Sequence, residues 1–146
     1  AIPKWNNIIL SESKKYDIKG ALRVKNYGYK IEWMIAMNDE VDVASSIQSD
    51  SYTITPDKVK EHVKEYHGAE GDGVGIAFIV ESFNKFEQRG HFWVTFFDEK
   101  TKDVIHTEKV SGAARGLSFA NYWCGAIYDV IKQIKSTKQK KWFRKK

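Results

Sequence analysis

Cysteine is almost missing from this chain. Cys124 stands alone among 146 residues, which excludes an internal disulfide framework and any cysteine-rich metal site. Proline occurs twice, at Pro3 and Pro56, and no low-complexity linker or internal repeat divides the sequence. No apolar run approaches the roughly 18 residues that a membrane span needs, so the sequence holds no transmembrane segment. With 42% hydrophobic and 14% aromatic residues it reads as a folded globular chain rather than a disordered one. A length of 146 residues suits one domain with enough buried surface to fold without metals or disulfides.

The net charge of +5 suggests an anionic partner until the charges are placed along the chain. Residues 135–146 carry seven Lys or Arg and no acid, whereas residues 1–134 carry 17 basic against 19 acidic side chains and net −2. The expected organisation is therefore a single domain over 1–134 followed by a basic, mobile tail over 135–146. Within the tail, Lys140, Lys141, Trp142, Phe143 and Arg144 put aromatic residues among cations, a mixture suited to phosphates, acidic lipid headgroups or an acidic partner. A solvated helix end is the plainer reading, because cations near a helix C-terminus are favourable without any ligand.

The strongest periodic signal runs through residues 112–134. Phe119, Trp123, Ala126, Ile127, Val130, Ile131 and Ile134 repeat as one apolar stripe of an α-helix, and such a stripe must be covered. The predicted cover is the antiparallel meander just before it, with strands around 74–80, 91–97 and 104–110. Upstream, Ile8 to Leu10 suggests a first strand or a segment packed on the sheet edge, Ile18 to Val24 a second strand, Tyr29 to Met37 a third by strict alternation, and 41–54 a further short strand with a polar, serine-rich connection. Thr55, Pro56 and Asp57 predict a capped helix start, with the helix running over about 55–67 and Gly68 ending it. The fold class expected is α+β: a mainly antiparallel sheet, a long C-terminal helix packed on one face and a second, shorter helix.

Candidate chemistry is sparse. Residues 68–75 are rich in glycine but follow a helix and precede a strand, the reverse of a phosphate-cradling loop. Residues 112–118 have the right order, strand then helix. There Gly112, Arg115, Gly116 and Ser118 form a candidate anion or ligand site, Arg115 supplying the charge and Ser118 the helix cap. The competing account is that these glycines serve a tight turn and close packing. His62, His67, His91 and His106 are scattered; none forms the pair expected of a helical zinc site, though His91 and His106 could meet across a strand pair. Cys124 lies near the start of the last helix, a place that favours a nucleophile only when a histidine is close. The acids Asp98, Glu99 and Asp103 alternate with lysines at a hairpin tip and read as solvated. No catalytic residue, metal or cofactor is assigned.

The run Phe96-Phe97-Asp98-Glu99-Lys100-Thr101-Lys102-Asp103-Val104-Ile105, followed by a glycine-bounded turn and an aromatic-rich helix, resembles small exported bacterial proteins of unknown function. More distantly it is similar to the periplasmic α+β domain of lipoproteins of the curli-secretion-channel type, in which a strand ends in Asp-x-x-Thr-Gly. Lys102 replaces that glycine, and no lipobox cysteine stands near Ala1. The resemblance covers about residues 74–134 and implies a binding or assembly module of the envelope. With a first residue of Ala rather than Met, the expectation is a periplasmic or secreted protein, the cytoplasm remaining open. The reading is a non-enzymatic module whose partner is a protein or a small anionic ligand. A nucleic-acid binder using the tail ranks behind it, as does a ligand carrier or hydrolase using Arg115.

Overall fold

A computed structural model describes residue 8 and residues 11–12, 14–23, 53–66, 73–117 and 119–143. The strand expected over 29–37 lies outside the described residues, as do His67 and Gly68 and all of the segment 41–54 except its last two residues, 53 and 54, which are not in a strand. The architecture is α+β, with one antiparallel sheet, a long C-terminal helix and a shorter helix. The sheet holds β1 (Val74–Asn84), β2 (Arg89–Asp98) and β3 (Val104–Ala113) in the order β1-β2-β3. Chain contacts divide the molecule into two compact units. The first joins Ala1–Tyr29, Gln88–Gly90 and Ser111–Lys146, and the second joins Lys30–Glu87 and His91–Val110.

In the first unit, two early expectations are corrected. Ile8 belongs to a helical turn rather than a strand, since the Glu12 N–H donates to the Ile8 carbonyl at 3.0 Å. Ile18–Leu22, also expected to be extended, is a short helix, α1. Asp17 caps it by accepting from the Gly20 N–H at 2.9 Å, and Arg23 closes it in the left-handed conformation at φ 59°. A local cap thus outweighed β-propensity over a stretch too short for periodicity to decide.

The second unit is built around α2 (Pro56–Lys64) and most of the sheet. Thr55 accepts from the Lys58 N–H at 3.2 Å, Pro56 occupies the first turn and Asp57 faces the positive helix end, as predicted. The helix stops at Lys64 rather than near residue 67. The Glu65 N–H turns back to the His62 carbonyl and the Tyr66 N–H to Val63, tightening the last turn. Val59 and Val63, both fully buried, pack with Tyr66, Ala77 and Phe97, and Ile54, Ile79, Trp93 and Val104 border them. The sheet face that carries Ala77 and Phe97 is therefore covered by α2. Burying two valines here contributes on the order of 3 kcal/mol.

The long helix α3 (Phe119–Gln133) buries Trp123, Cys124, Ala126, Ile127, Val130 and Ile131, the side of the helix that the stripe marks. It lies against the end of β3 at Gly112, where an added Cβ would stand 2.1 Å from the Ala126 carbonyl oxygen. Residues expected to leave the helix at Ile134 continue it instead. Ile134–Lys138 form a π-helical turn, in which the Gln139 N–H donates to the Ile134 carbonyl, and Gln139–Trp142 follow as α4. The hydroxyls of Ser136 and Thr137 both donate to the Gln133 carbonyl, at 3.4 and 3.0 Å. They compete for the acceptor that an α-helix would give to the N–H four residues on, and the ladder widens there.

Candidate functional site

The turn from β3 into α3 is held by its own backbone. The Ala113 N–H donates to Asp129 Oδ2 at 2.8 Å, the Ala114 N–H to the Gln88 carbonyl at 2.9 Å and the Arg115 N–H to the Tyr122 carbonyl at 3.0 Å. Glycines make this approach possible. A Cβ at Gly125, on α3, would stand 2.2 Å from the Arg115 carbonyl oxygen, and Gly116 adopts φ 150° beside the Asn121 backbone. Gln133 Nε2 and Arg89 add bonds to the Ser111 carbonyl, at 2.8 and 3.1 Å.

At and just beyond this pinned stretch two side chains face solvent. Arg115 is exposed, and Leu117 is 108% exposed, as open as a leucine in an extended peptide. Of the sequence candidates, Arg115 and Gly116 are exposed at the turn, Gly112 is buried against Ala126 at the end of β3, and Ser118 lies outside the described residues. An anion at this turn meets the guanidinium without the amides of residues 113–115, which are already engaged. The tail candidates sit at the other end of the helix, roughly 30 Å away at about 1.5 Å per residue. Lys140 and Lys141 are exposed, Phe143 is 51% exposed, Trp142 is half-buried and Arg144 lies outside the described residues.

The remaining candidates are dispersed. His62 stacks edgewise on Tyr66 at 5.1 Å, and its burial lowers its pKa against the opposing pull of Glu65. His91 lies 3.5 Å from Glu87, and His106 tilts over Phe96 at 6.4 Å. Among the described residues no three His, Cys, Asp or Glu gather as metal ligands. Cys124 is fully buried; burial first, then Glu12, pushes its thiol up to about 11, with Lys15 pulling the other way. A thiol in that state is a poor nucleophile. At the β2–β3 tip, Asp98 accepts from the Thr101 and Lys100 N–H groups and Asp103 pairs with Lys64, so both carboxyls are held below their ordinary values.

Two arrangements escaped the sequence reading. Glu81 is buried in β1, where Oε2 accepts from the Ile54 N–H at 2.8 Å and the Trp93 indole at 3.0 Å, and Oε1 pairs with Lys109 at 2.6 Å. Burial alone pushes this carboxyl up, but Lys109, the Ile54 N–H and the Trp93 indole together hold it below its ordinary value. It ties all three strands to the segment preceding α2. An acid set in the apolar run Ile79-Val80-Glu81 was the available signal. In the first unit, Lys15 and Lys132 both lie over the Tyr128 ring, at 5.2 and 5.5 Å, and Tyr16 meets the same ring edge-on at 6.1 Å. Burial pushes the Tyr16 hydroxyl up to about 12, with Cys124, Glu12 and Tyr128 adding to it. No spacing rule links residue 15 to residue 132.

No family model matches the chain, and neither a curated protein nor a solved structure matches it.

Proposed function

We propose that this chain is a non-catalytic binding module of the cell envelope that engages a partner surface through the turn between β3 and α3. The observation that carries this reading is Leu117, fully exposed two residues beyond exposed Arg115, where a run of three hydrogen-bonded amides ends. An apolar side chain left in water beside a cation gains by burial against a partner surface, which is how a small anchor contributes affinity. The shifted buried groups support the same reading. Tyr16 and Cys124 are driven toward their neutral forms, and Glu81 holds strands together rather than facing a cleft.

Photo-crosslinking from a diazirine side chain placed at 117, with position 86 as the control because Phe86 is 102% exposed, tests the module. The expected result is a discrete adduct from position 117 alone that disappears with Arg115→Glu. Identical adducts from both positions, or none from 117, would discard the reading. The envelope placement rests on the resemblance of residues 96–105 and the helix after them. Recovery of the natural protein only in the cytosolic fraction of its cells removes that part.

A further inference from the structure

Counted along the chain, the charges of residues 1–134 cancel; counted by compact unit, they do not. Among its described residues, the unit made of Ala1–Tyr29, Gln88–Gly90 and Ser111–Lys146 carries eleven Lys or Arg against Glu12, Asp17 and Asp129, a net of +8. The described residues of the unit made of Lys30–Glu87 and His91–Val110 carry seven against nine acids, a net of −2. We propose that the basic unit is a surface for an anionic lipid bilayer. This rests on the binding-module reading and names its partner.

The few acids of the basic unit are largely occupied. Asp17 caps α1 and Asp129 accepts the Ala113 N–H. Lys14, Lys19, Arg23, Arg115, Lys135 and Lys140 are all exposed, and among the described residues of their own unit none has a carboxylate within ion-pair distance. The acidic unit differs: Lys58, Lys64 and Lys109 each pair with a carboxylate inside it. In the basic unit like charges are drawn together, as where Lys15 and Lys132 converge on one tyrosine ring. A unit whose described residues leave Lys14, Lys19, Arg23, Arg115, Lys135 and Lys140 exposed without a carboxylate of that unit beside them is complementary to an extended anionic surface.

The π-helical turn serves the same end. The widened turn keeps Ile134 buried and Lys138 and Trp142 half-buried, while Lys135, Lys140 and Lys141 remain in solvent. A bilayer, rather than a nucleic acid, is favoured by the exposed apolar groups among these cations. Leu117 has no ring to stack on a base, whereas the boundary between headgroups and acyl chains accepts an aliphatic side chain and an aromatic one such as Phe143.

Co-sedimentation of the full chain with vesicles tests this. Vesicles of phosphatidylcholine mixed with phosphatidylglycerol are expected to carry the protein down at low salt, and vesicles of phosphatidylcholine alone are not. Each lysine near the surface is worth about fivefold in partitioning, so Lys14→Gln, Lys135→Gln and Lys140→Gln combined are expected to weaken binding roughly a hundredfold. Lys60→Gln, Lys85→Gln and Lys100→Gln combined make the same charge change in the acidic unit and are expected to leave binding unchanged. Leu117→Ser is expected to remove the part of the binding that survives added salt. The proposal is overturned by no binding to the phosphatidylglycerol vesicles, by equal losses in the two triple variants, or by a single-stranded oligonucleotide that binds more tightly and displaces the vesicles. A discrete protein adduct from position 117 together with failed sedimentation removes the bilayer and leaves the binding module standing.

Discussion

Single side chains set the local strength of this fold, and Glu81 is the clearest case. Its carboxylate accepts from an amide, an indole and an ammonium, so Glu81→Gln leaves Lys109 and one donor without a charged partner. The expected loss is about 3 kcal/mol of stability, measured by urea unfolding at neutral pH. Because the folded carboxyl titrates below its ordinary value of 4.5, its contribution is complete above that pH and is lost as pH falls through the folded value. The wild-type protein is therefore expected to lose more stability on acidification than Glu81→Gln, and equal acid sensitivity would contradict the assignment. Lys102 is strained in the opposite sense. It stands at φ 62° in the β2–β3 turn, in the left-handed region that favours glycine. Lys102→Gly is expected to stabilise the protein by about 0.5–1 kcal/mol, and an unchanged or lower unfolding midpoint would argue against strain there. Of the candidate ligand residues, Gly112, Arg115 and Gly116 were legible because a strand-to-helix turn announces itself by glycine. That the neighbouring amides were already engaged by Asp129, Gln88 and Tyr122 was not legible, since those acceptors come from elsewhere in the chain.

At the scale of elements, the contact between α3 and the turn before it depends on the absence of side-chain atoms. Alanine in place of a helical glycine ordinarily stabilises a helix by about 1 kcal/mol. At Gly125 the added carbon would meet the Arg115 backbone, which cannot swing aside. Gly125→Ala is expected to destabilise by roughly 2 kcal/mol on thermal unfolding, and a gain in melting temperature would show that α3 and the turn are not in close contact. The helices with a sequence signature were found: α2 from Thr55, Pro56 and Asp57, and α3 from its apolar stripe. The three strands were expected, β1 from its continuous apolar run, β2 from alternation and β3 from the turn before it, although β1 runs on through Asn84 and leaves a turn of only four residues, 85–88, before β2. α1 was missed because five residues span little more than one turn, and its capping aspartate looks like any surface acid. The continuation of α3 was missed because Lys135, Ser136 and Thr137 end the apolar pattern, whereas the backbone absorbs them by widening one turn.

For the whole molecule, charge separation has a thermodynamic consequence. The described residues of the first unit, at a net of +8, repel one another, and salt screens that repulsion over a Debye length of about 8–10 Å. Raising ionic strength from low to physiological is expected to raise the melting temperature by about 2–4 °C, read by differential scanning calorimetry. A fall would mean that attraction outweighs repulsion within the folded chain. Local order in this protein was written in the sequence by itself: where α2 begins, which side of α3 is buried, where strands alternate, that one thiol cannot cross-link the chain. Those features depend on residues a few positions apart. Only the tertiary structure decided that α2 covers the Ala77 and Phe97 face, that Glu81 joins three strands, and that three segments far apart in sequence collect the cations into one unit. Linear counting averages opposite charges that folding sorts into different units, and electrostatic potential depends on distance through space rather than along the chain.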